Sequence, residues 1–325
     1  MKENDIRPAG IFEEYLRLAQ IDAQTYFAQE FRNSRKCPAC FSIGNPAFSK
    51  FGFNYEVCDY CDSLFVNPLP PPTAFARYYT ESPSSVYWAS TFYKETAEAR
   101  REKLWKPKAQ LILDLMQRFS ATQHLVVDIG GGFGIFAEEL LLLGCKSPVI
   151  VEPGPQLAQV CRDKGFQVVE KFLEEVQAID LPSGPKLFVS FELFEHLHDP
   201  EDFLVKLNRL MSPGDLFVFT TLSSTGLDIQ VLWEESKSVT PPHHINFLNP
   251  RAIEILLSRV GHKVLQITTP GKLDIDILSN SVEKITDRFW NTFIRKASPD
   301  EKLAMQEFLA TEGWSSHMMT VSKKP

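Results

Sequence analysis

Beyond residue 120 the chain alternates between two kinds of segment. Short apolar runs, LVVDI (125–129), PVIVE (148–152), FQVV (166–169), LFVS (187–190), LFVFTT (216–221) and KVLQITT (263–269), are separated by stretches that read as helices. Few architectures accept that order, because it implies a parallel sheet with helices on both faces. Helix starts are marked at Asp199-Pro200-Glu201 and at Asn249-Pro250, the second helix stopping at Gly261. A final strand, SSHMMTVSKK (315–324), must return across about 45 residues, too many for a bare loop. Residues 270–312 are therefore expected to be a helical insertion. The expected fold is α/β: a Rossmann-like, seven-stranded, mostly parallel core.

Upstream, residues 11–31 carry apolar side chains at helical spacing without Gly or Pro and predict one amphipathic helix. NPLPPP (67–72) makes a stiff exit from the segment that follows, and residues 94–119 predict a helix interrupted near Pro107. Between them lies C-x2-C-x17-C-x2-C, formed by Cys37, Cys40, Cys58 and Cys61. Two such knuckles deliver four thiolates to a tetrahedral zinc ion, and a zinc with four thiolates has no open position. The expected metal is thus structural, in a ribbon-like module with strand-like residues between the knuckles. The expected divisions are 1–36 (N-terminal helix), 37–72 (zinc module), 73–120 (connecting helices) and 121–325 (core with its insertion). Cys145 and Cys161 read as plain small residues.

The first strand of the core runs into DIGGGFG (128–134). A dinucleotide fingerprint places its third glycine where this chain has Ile135; the spaced glycines here are Gly130, Gly132 and Gly134. Asp128, just before them, would repel a pyrophosphate and welcome an ammonium group. Glu152, 24 residues on, ends the second strand in VIVEPGP and suits the two hydroxyls of a ribose. A nucleoside with an amino-acid tail and no phosphate is S-adenosylmethionine.

DIGGGFG, VIVEPGP and FVSFELFEHLHDPEDF (188–203), in that order, resemble the class I S-adenosylmethionine-dependent methyltransferases. The resemblance implies that Asp128, Gly130, Gly132 and Gly134 shape the methionine pocket and that Glu152 takes the ribose. It also places Phe172 by the adenine and Glu192 at the cofactor. The zinc module, followed by LFVNPLPPPTAFARYYTESPSSVYW and this core, is similar in layout to bacterial methyltransferases of nucleotide-linked keto-sugars. In that group the N-terminal part helps close the substrate site, which implies Tyr78, Tyr79, Tyr87 or Trp88 near the ligand. Residues 270–325 match only loosely.

Moving a methyl group to a weak nucleophile requires alignment and removal of a proton, a task suited to histidine. His243 and His244 lie in TPPHHINFLNP (240–250), the connection that overhangs the carboxyl ends of the strands, and His196 is the third candidate. His244 aligns better with the H-x-N-F pattern of similar enzymes. FELFEHLHDP offers another chemistry: Glu192, Glu195 and His196, on one helical turn, would share a face able to hold a divalent ion. That pattern resembles the metal-binding motif of ubiquinone-pathway O-methyltransferases and implies a catechol-like acceptor as the alternative. Lys272, Asp274 and Asp276, with residues 227–238, are plausible acceptor walls. A third possibility is a zinc module that holds RNA, as in one family of ribosomal-RNA methyltransferases. The net charge of −7 advertises no phosphate-neutralising surface and weighs against nucleic acid. The N-terminal residues lack a signal-peptide layout and no run approaches ~20 apolar residues, so a cytoplasmic protein acting on a small molecule is expected.

Overall fold

The computed structural model describes residues 1–325. Eleven strands follow one another along the chain: β1 (Gly44–Lys50), β2 (Phe53–Cys58), β3 (Leu64–Val66), β4 (Leu125–Ile129), β5 (Val149–Val151), β6 (Gln167–Val169), β7 (Lys186–Phe191), β8 (Leu216–Leu222), β9 (Asn246–Phe247), β10 (Lys263–Thr268) and β11 (His317–Lys323). Seven form the main sheet in the order β10-β11-β8-β7-β4-β5-β6. β4 through β8 pair in parallel, and β11 enters antiparallel between β8 and β10. Each expected core strand is present within a residue or two of its expected ends. The reason is physical: strands buried on both faces read as unbroken apolar runs. Phe188, Phe217 and Phe219 are fully buried at the centre of the sheet, each contributing about 1.5–3 kcal/mol of burial energy.

Strand order reverses beside β4, whose neighbours are β5 and β7. The crevice at the carboxyl ends of these strands is where ligands bind in open α/β sheets. Residues 270–312 fold as the helices Asp274–Asn280, Arg288–Lys296 and Pro299–Thr311 with one short 3-10 turn, a helical insertion as expected. No helix is long and apolar enough to cross a membrane.

The N-terminal third departs from a bead-on-a-string layout. β1, β2 and β3 form an antiparallel sheet completed by β9, a two-residue strand contributed by the His243-His244 connection. The cysteines share one apolar cluster with Leu248, Ala252 and Leu256 of the core. The predicted helix of residues 11–31 is seen as Ala9–Phe27, and it packs against this sheet through Phe27, Phe53 and Tyr55.

The interruption expected near Pro107 takes an unexpected form. Helical backbone runs on from Pro83 to Arg118, with two π-helical segments, Trp88–Phe92 and Arg101–Trp105. The Lys106 N–H bonds to the Arg101 carbonyl, five residues back. Pro107 has no N–H to donate, and its ring would crowd the carbonyl four residues earlier; the wider turn just before it removes that conflict.

Candidate active site

The glycine turn is built for close approach of a ligand. Gly130, Gly132 and Gly134 adopt φ of +73°, +54° and +69°, a backbone region that favours glycine. A Cβ on Gly131 would stand 2.7 Å from Ile150 and 2.9 Å from Asp128 Oδ2, whereas one on Gly132 would meet nothing within 4 Å. Tyr93, Trp105, Asp128, Gly130, Phe136 and Phe191 line the cleft. Tyr93 also stacks on Phe133, at 4.3 Å between ring centres.

Asp128 is 2% exposed, and its Oδ2 is buried without a hydrogen-bond partner. Burial, and then the charge of Glu152, push its carboxyl up to about 7, with Lys108 acting in the opposite sense. An orphaned carboxylate oxygen in a cleft fits an arriving ammonium donor. Glu152 is oriented by two backbone donors, Gly132 N–H to Oε2 and Gly154 N–H to Oε1, both at 2.9 Å. Each oxygen keeps a lone pair for a ribose hydroxyl. Phe172 is 58% exposed just beyond β6, free to cover a base. These residues fit S-adenosylmethionine.

Pairing of an ammonium with Asp128 would make cofactor affinity pH-dependent. Ammonium binding requires ionised Asp128, so below about pH 7 complex formation must expel a proton. Affinity for S-adenosylhomocysteine is then expected to fall by up to about tenfold per pH unit, flattening near the lower pKa of the complex. Asp128→Asn should bind more weakly with no such slope. Calorimetric titration across this range checks both; an unchanged slope in the variant removes Asp128 from the ammonium's environment.

Glu192 does not join Glu195 and His196 on one face, which corrects the expected divalent set. Only Phe194–His196 forms a 3-10 turn, and Glu192 precedes it with φ of +53°. The Glu192 carboxylate accepts bonds from Lys108 Nζ (3.1 Å), Thr220 Oγ1 (2.7 Å) and His317 Nε2 (2.9 Å). Burial opposes its ionisation, yet Lys108 and His317 hold it well below the usual carboxylate range. Its place in the set is taken by His244: donor atoms of Glu195, His196 and His244 lie within 4.8 Å of one another.

The tautomers of the two imidazoles follow from their partners. His196 Nδ1–H donates to the His243 carbonyl at 2.9 Å, and His244 Nδ1–H donates to the Ser238 carbonyl at 2.6 Å. A carbonyl only accepts, so in each neutral ring Nε2 carries the free lone pair. Burial keeps both rings neutral, pushing His196 down to about 4 and, with His196 beside it, His244 down to about 3. Glu195 moves the other way, to about 8, through burial and then the charge of Glu192.

His243 is used differently. Its Nδ1 lies 2.8 Å from the hydroxyls of both Tyr15 and Tyr78, inside an aromatic group that includes Tyr79 and His196. Trp88 packs on Tyr15, and Tyr87 joins the same cluster. The aromatic residues of 78–88 therefore reach the histidine connection, as does Tyr15, whose position in a plain amphipathic helix gave no signal. Tyr93, Trp105 and Lys108 were equally hidden in a helix. Lys272 is exposed, Asp274 is buried against Ser315, Ser316 and Gln306, and Asp276 accepts bonds from Lys2 and Glu3. Asp274 and Asp276 thus anchor the insertion instead of facing the cleft.

The four cysteines are free thiols with sulfurs converging: Cys37–Cys61 3.6 Å, Cys40–Cys58 3.4 Å and Cys40–Cys61 3.6 Å. The edge of a tetrahedral thiolate site with Zn–S of about 2.3 Å is about 3.8 Å, so the cluster suits a zinc ion with little movement.

A family profile described as a methyltransferase domain matches residues 98–267. Among curated proteins, a malonyl-[acyl-carrier protein] O-methyltransferase of Chlorobium luteolum is 26% identical over 214 residues, covering 63% of this chain and 81% of its own. A ubiquinone biosynthesis O-methyltransferase of Colwellia psychrerythraea is 28% identical over 105 residues, covering 31% of this chain and 42% of that protein. Among solved structures, a plantazolicin methyltransferase in complex with S-adenosylhomocysteine superposes with a TM-score of 0.49 at 13% identity, covering 77% of this chain and 93% of that one. A SAM-dependent methyltransferase from Archaeoglobus fulgidus gives 0.43 at 17% identity, covering 66% and 94%.

Proposed function

This chain belongs to the methyltransferase domain family, and on that premise we propose that it methylates a small acceptor seated between the glycine-turn cleft and the Glu195–His196–His244 cluster. S-adenosylmethionine, when bound, supplies an electrophilic methyl group on a sulfonium with a good leaving group. Asp128 would hold its ammonium and Glu152 its ribose. The observation that carries the reading is the pair of Nε2 lone pairs at His196 and His244, each fixed by the bond its own Nδ1–H makes. A base oriented in this way takes a proton from a positioned acceptor without first turning. We assign that role to His244, and to His243 the task of tying the connection to Tyr15 and Tyr78.

For the acceptor we favour a nucleotide-linked keto-sugar, the class suggested by the N-terminal layout. His244 Nε2 would remove the proton beside the carbonyl, and the resulting enolate carbon would take the methyl. For a hydroxyl or amine acceptor the same nitrogen would take the O–H or N–H proton. The four cysteines would hold a structural zinc.

A second reading rests on a separate observation. Two imidazoles whose far N–H groups are spent on carbonyls, converging with one carboxylate, make a three-donor site with positions left open. A divalent ion there would acidify a hydroxyl on a catechol-like acceptor, and the ubiquinone-biosynthesis relatives lend that acceptor some support.

Transfer of labelled methyl to a panel of nucleotide-linked keto-sugars and of catechols, with and without a mild magnesium chelator, separates the readings. Label on a sugar, indifferent to chelator, supports the base mechanism. Label only on catechols, lost with chelator, transfers the site to the ion and removes the sugar.

A further inference from the structure

Two cations stand beside this site without a carboxylate partner. Arg100 lies between its two halves: its guanidinium carbon is 5.5 Å from the ring of Tyr93, which lines the cofactor cleft, and 5.9 Å from that of Trp88. Trp88 packs on Tyr15, which in turn meets His243. Arg100 therefore bridges a residue of the cofactor cleft and the aromatic chain that leads to His243.

The hydrogen bonding of Arg100 is sparse. One Nη1 contact reaches the Ile6 carbonyl at 3.5 Å, a second joins the Tyr93 side chain, and Nε is buried without a partner, so no carboxylate neutralises the charge. Arg35, an interior arginine with a purely structural task, makes a useful contrast. Its donors reach the carbonyls of Val66, His198 and Ile245 and the amide oxygen of Asn246. Arg101, next in sequence, is matched by Glu138 and Glu139.

Arg7 follows directly on the Ile6 carbonyl that Arg100 touches. It is half-buried, rests against the Phe12 ring at 5.2 Å, and has no carboxylate within 4.0 Å. Phe12 in turn stacks on Tyr15 at 5.9 Å between ring centres, and the Tyr15 hydroxyl meets His243, which places Arg7 on the acceptor side. The two like charges oppose each other, and no carboxylate lies within 4.0 Å of either. Glu192 is already held by Lys108 and His317, and Asp228 is buried, bonded to Ser238 and raised towards neutrality by burial and then by Asp274.

We propose that Arg7 and Arg100 form an anion site that holds a phosphate or carboxylate carried by the acceptor, fixing it next to the cofactor cleft. The proposal rests on the methyltransferase reading and narrows it: neutral acceptors are excluded from efficient turnover. Guanidinium is the side chain that matches both oxyanions, through paired N–H donors. A diphosphate of a nucleotide-linked sugar and the carboxylate of an organic acid share that chemistry.

The test is calorimetric titration of the full chain, with and without saturating S-adenosylhomocysteine, using uridine diphosphate in one arm and malonate in the other. The wild-type protein should bind at least one of them, and the arm that binds identifies the source of the oxyanion. Arg7→Gln and Arg100→Gln should each weaken it by about tenfold or more, the loss expected for a charge-assisted contact, while S-adenosylhomocysteine affinity stays within about twofold. Arg100→Lys, which keeps the charge and the packing stem, should lose less than Arg100→Gln and guards against a merely misfolded variant. Failure of the wild type to bind either anion, or equal binding by the glutamine variants, overturns the proposal. Failure to bind S-adenosylhomocysteine overturns the methyltransferase reading instead, and the anion titrations without it still decide the fate of the arginines.

Discussion

His244→Ala is expected to lower turnover by about 10²–10⁴-fold, the range associated with losing a positioned base, while leaving affinity for S-adenosylhomocysteine unchanged. The separation follows from geometry. The cleft is made by the β4 turn and the start of the helix after it, Phe191 at the end of β7 and the helical stretch carrying Tyr93 and Trp105, none of which contacts the His244 ring through a hydrogen bond. Added imidazole should restore part of the activity if Nε2 serves as the base. If His244 instead completes an ion site with Glu195 and His196, imidazole should fail and bound divalent metal should fall. His243→Ala should behave differently. It strips the shared partner from two buried hydroxyls, those of Tyr15 and Tyr78, with a stability cost of about 1–3 kcal/mol. Equal turnover of His244→Ala and the wild type would remove the connection from the chemistry.

The other large effect is expected at the cysteines. Cys61→Ser, or removal of a bound zinc by a strong chelator, should destabilise the chain by at least about 3 kcal/mol, lowering Tm by roughly 4–5 °C or more, since metal binding at such a site would be folding energy. Activity should fall with it, because the knuckles are stitched to the catalytic side. Asn249 Nδ2 donates to the Cys61 carbonyl at 2.6 Å, Ser224 Oγ to the Asp62 carbonyl at 2.8 Å, and Arg259 Nη1 to the Ala39 carbonyl at 2.8 Å. On the other face of the module, Val66 N–H donates to the Ile245 carbonyl and Tyr55 Oη to the His244 carbonyl. Losing the knuckles therefore loosens both sides of the histidine connection. Zinc content by mass spectrometry, set against calorimetric Tm and turnover, checks this; a metal-free variant with wild-type Tm and activity would show that the ion is dispensable.

What could be read from the residues divides along a physical line. The core strands were legible because burial on both faces writes itself as an apolar run, and the glycine turn because positive φ and close approach restrict residue choice. The knuckles were legible because thiolate spacing is a chemical requirement. The acceptor side was legible only in part. His196 and His244 were named from their surroundings, but their meeting with Glu195 depends on a fold of the chain that no local pattern encodes. Glu192 left the expected face because Lys108 and His317, distant in sequence, hold it elsewhere. β9 is two residues long and exists only because β3 offers it an edge. Tyr15 sits in unremarkable helical sequence and Arg7 in the bend that precedes it, and their importance comes wholly from what they touch.

The pairing of Tyr15 with His243, 228 positions apart, divides the labour of the chain. What every reaction of this kind requires, a seat for the methyl donor, is confined to a contiguous middle stretch. What distinguishes one reaction from another is assembled largely from the two flanks, folded back over Glu195 and His196 of that stretch. Grafting the first ninety or so residues of one such protein onto the middle of another would thus exchange the guest while keeping the donor, provided that the graft brings along the partner strand on which its small sheet closes.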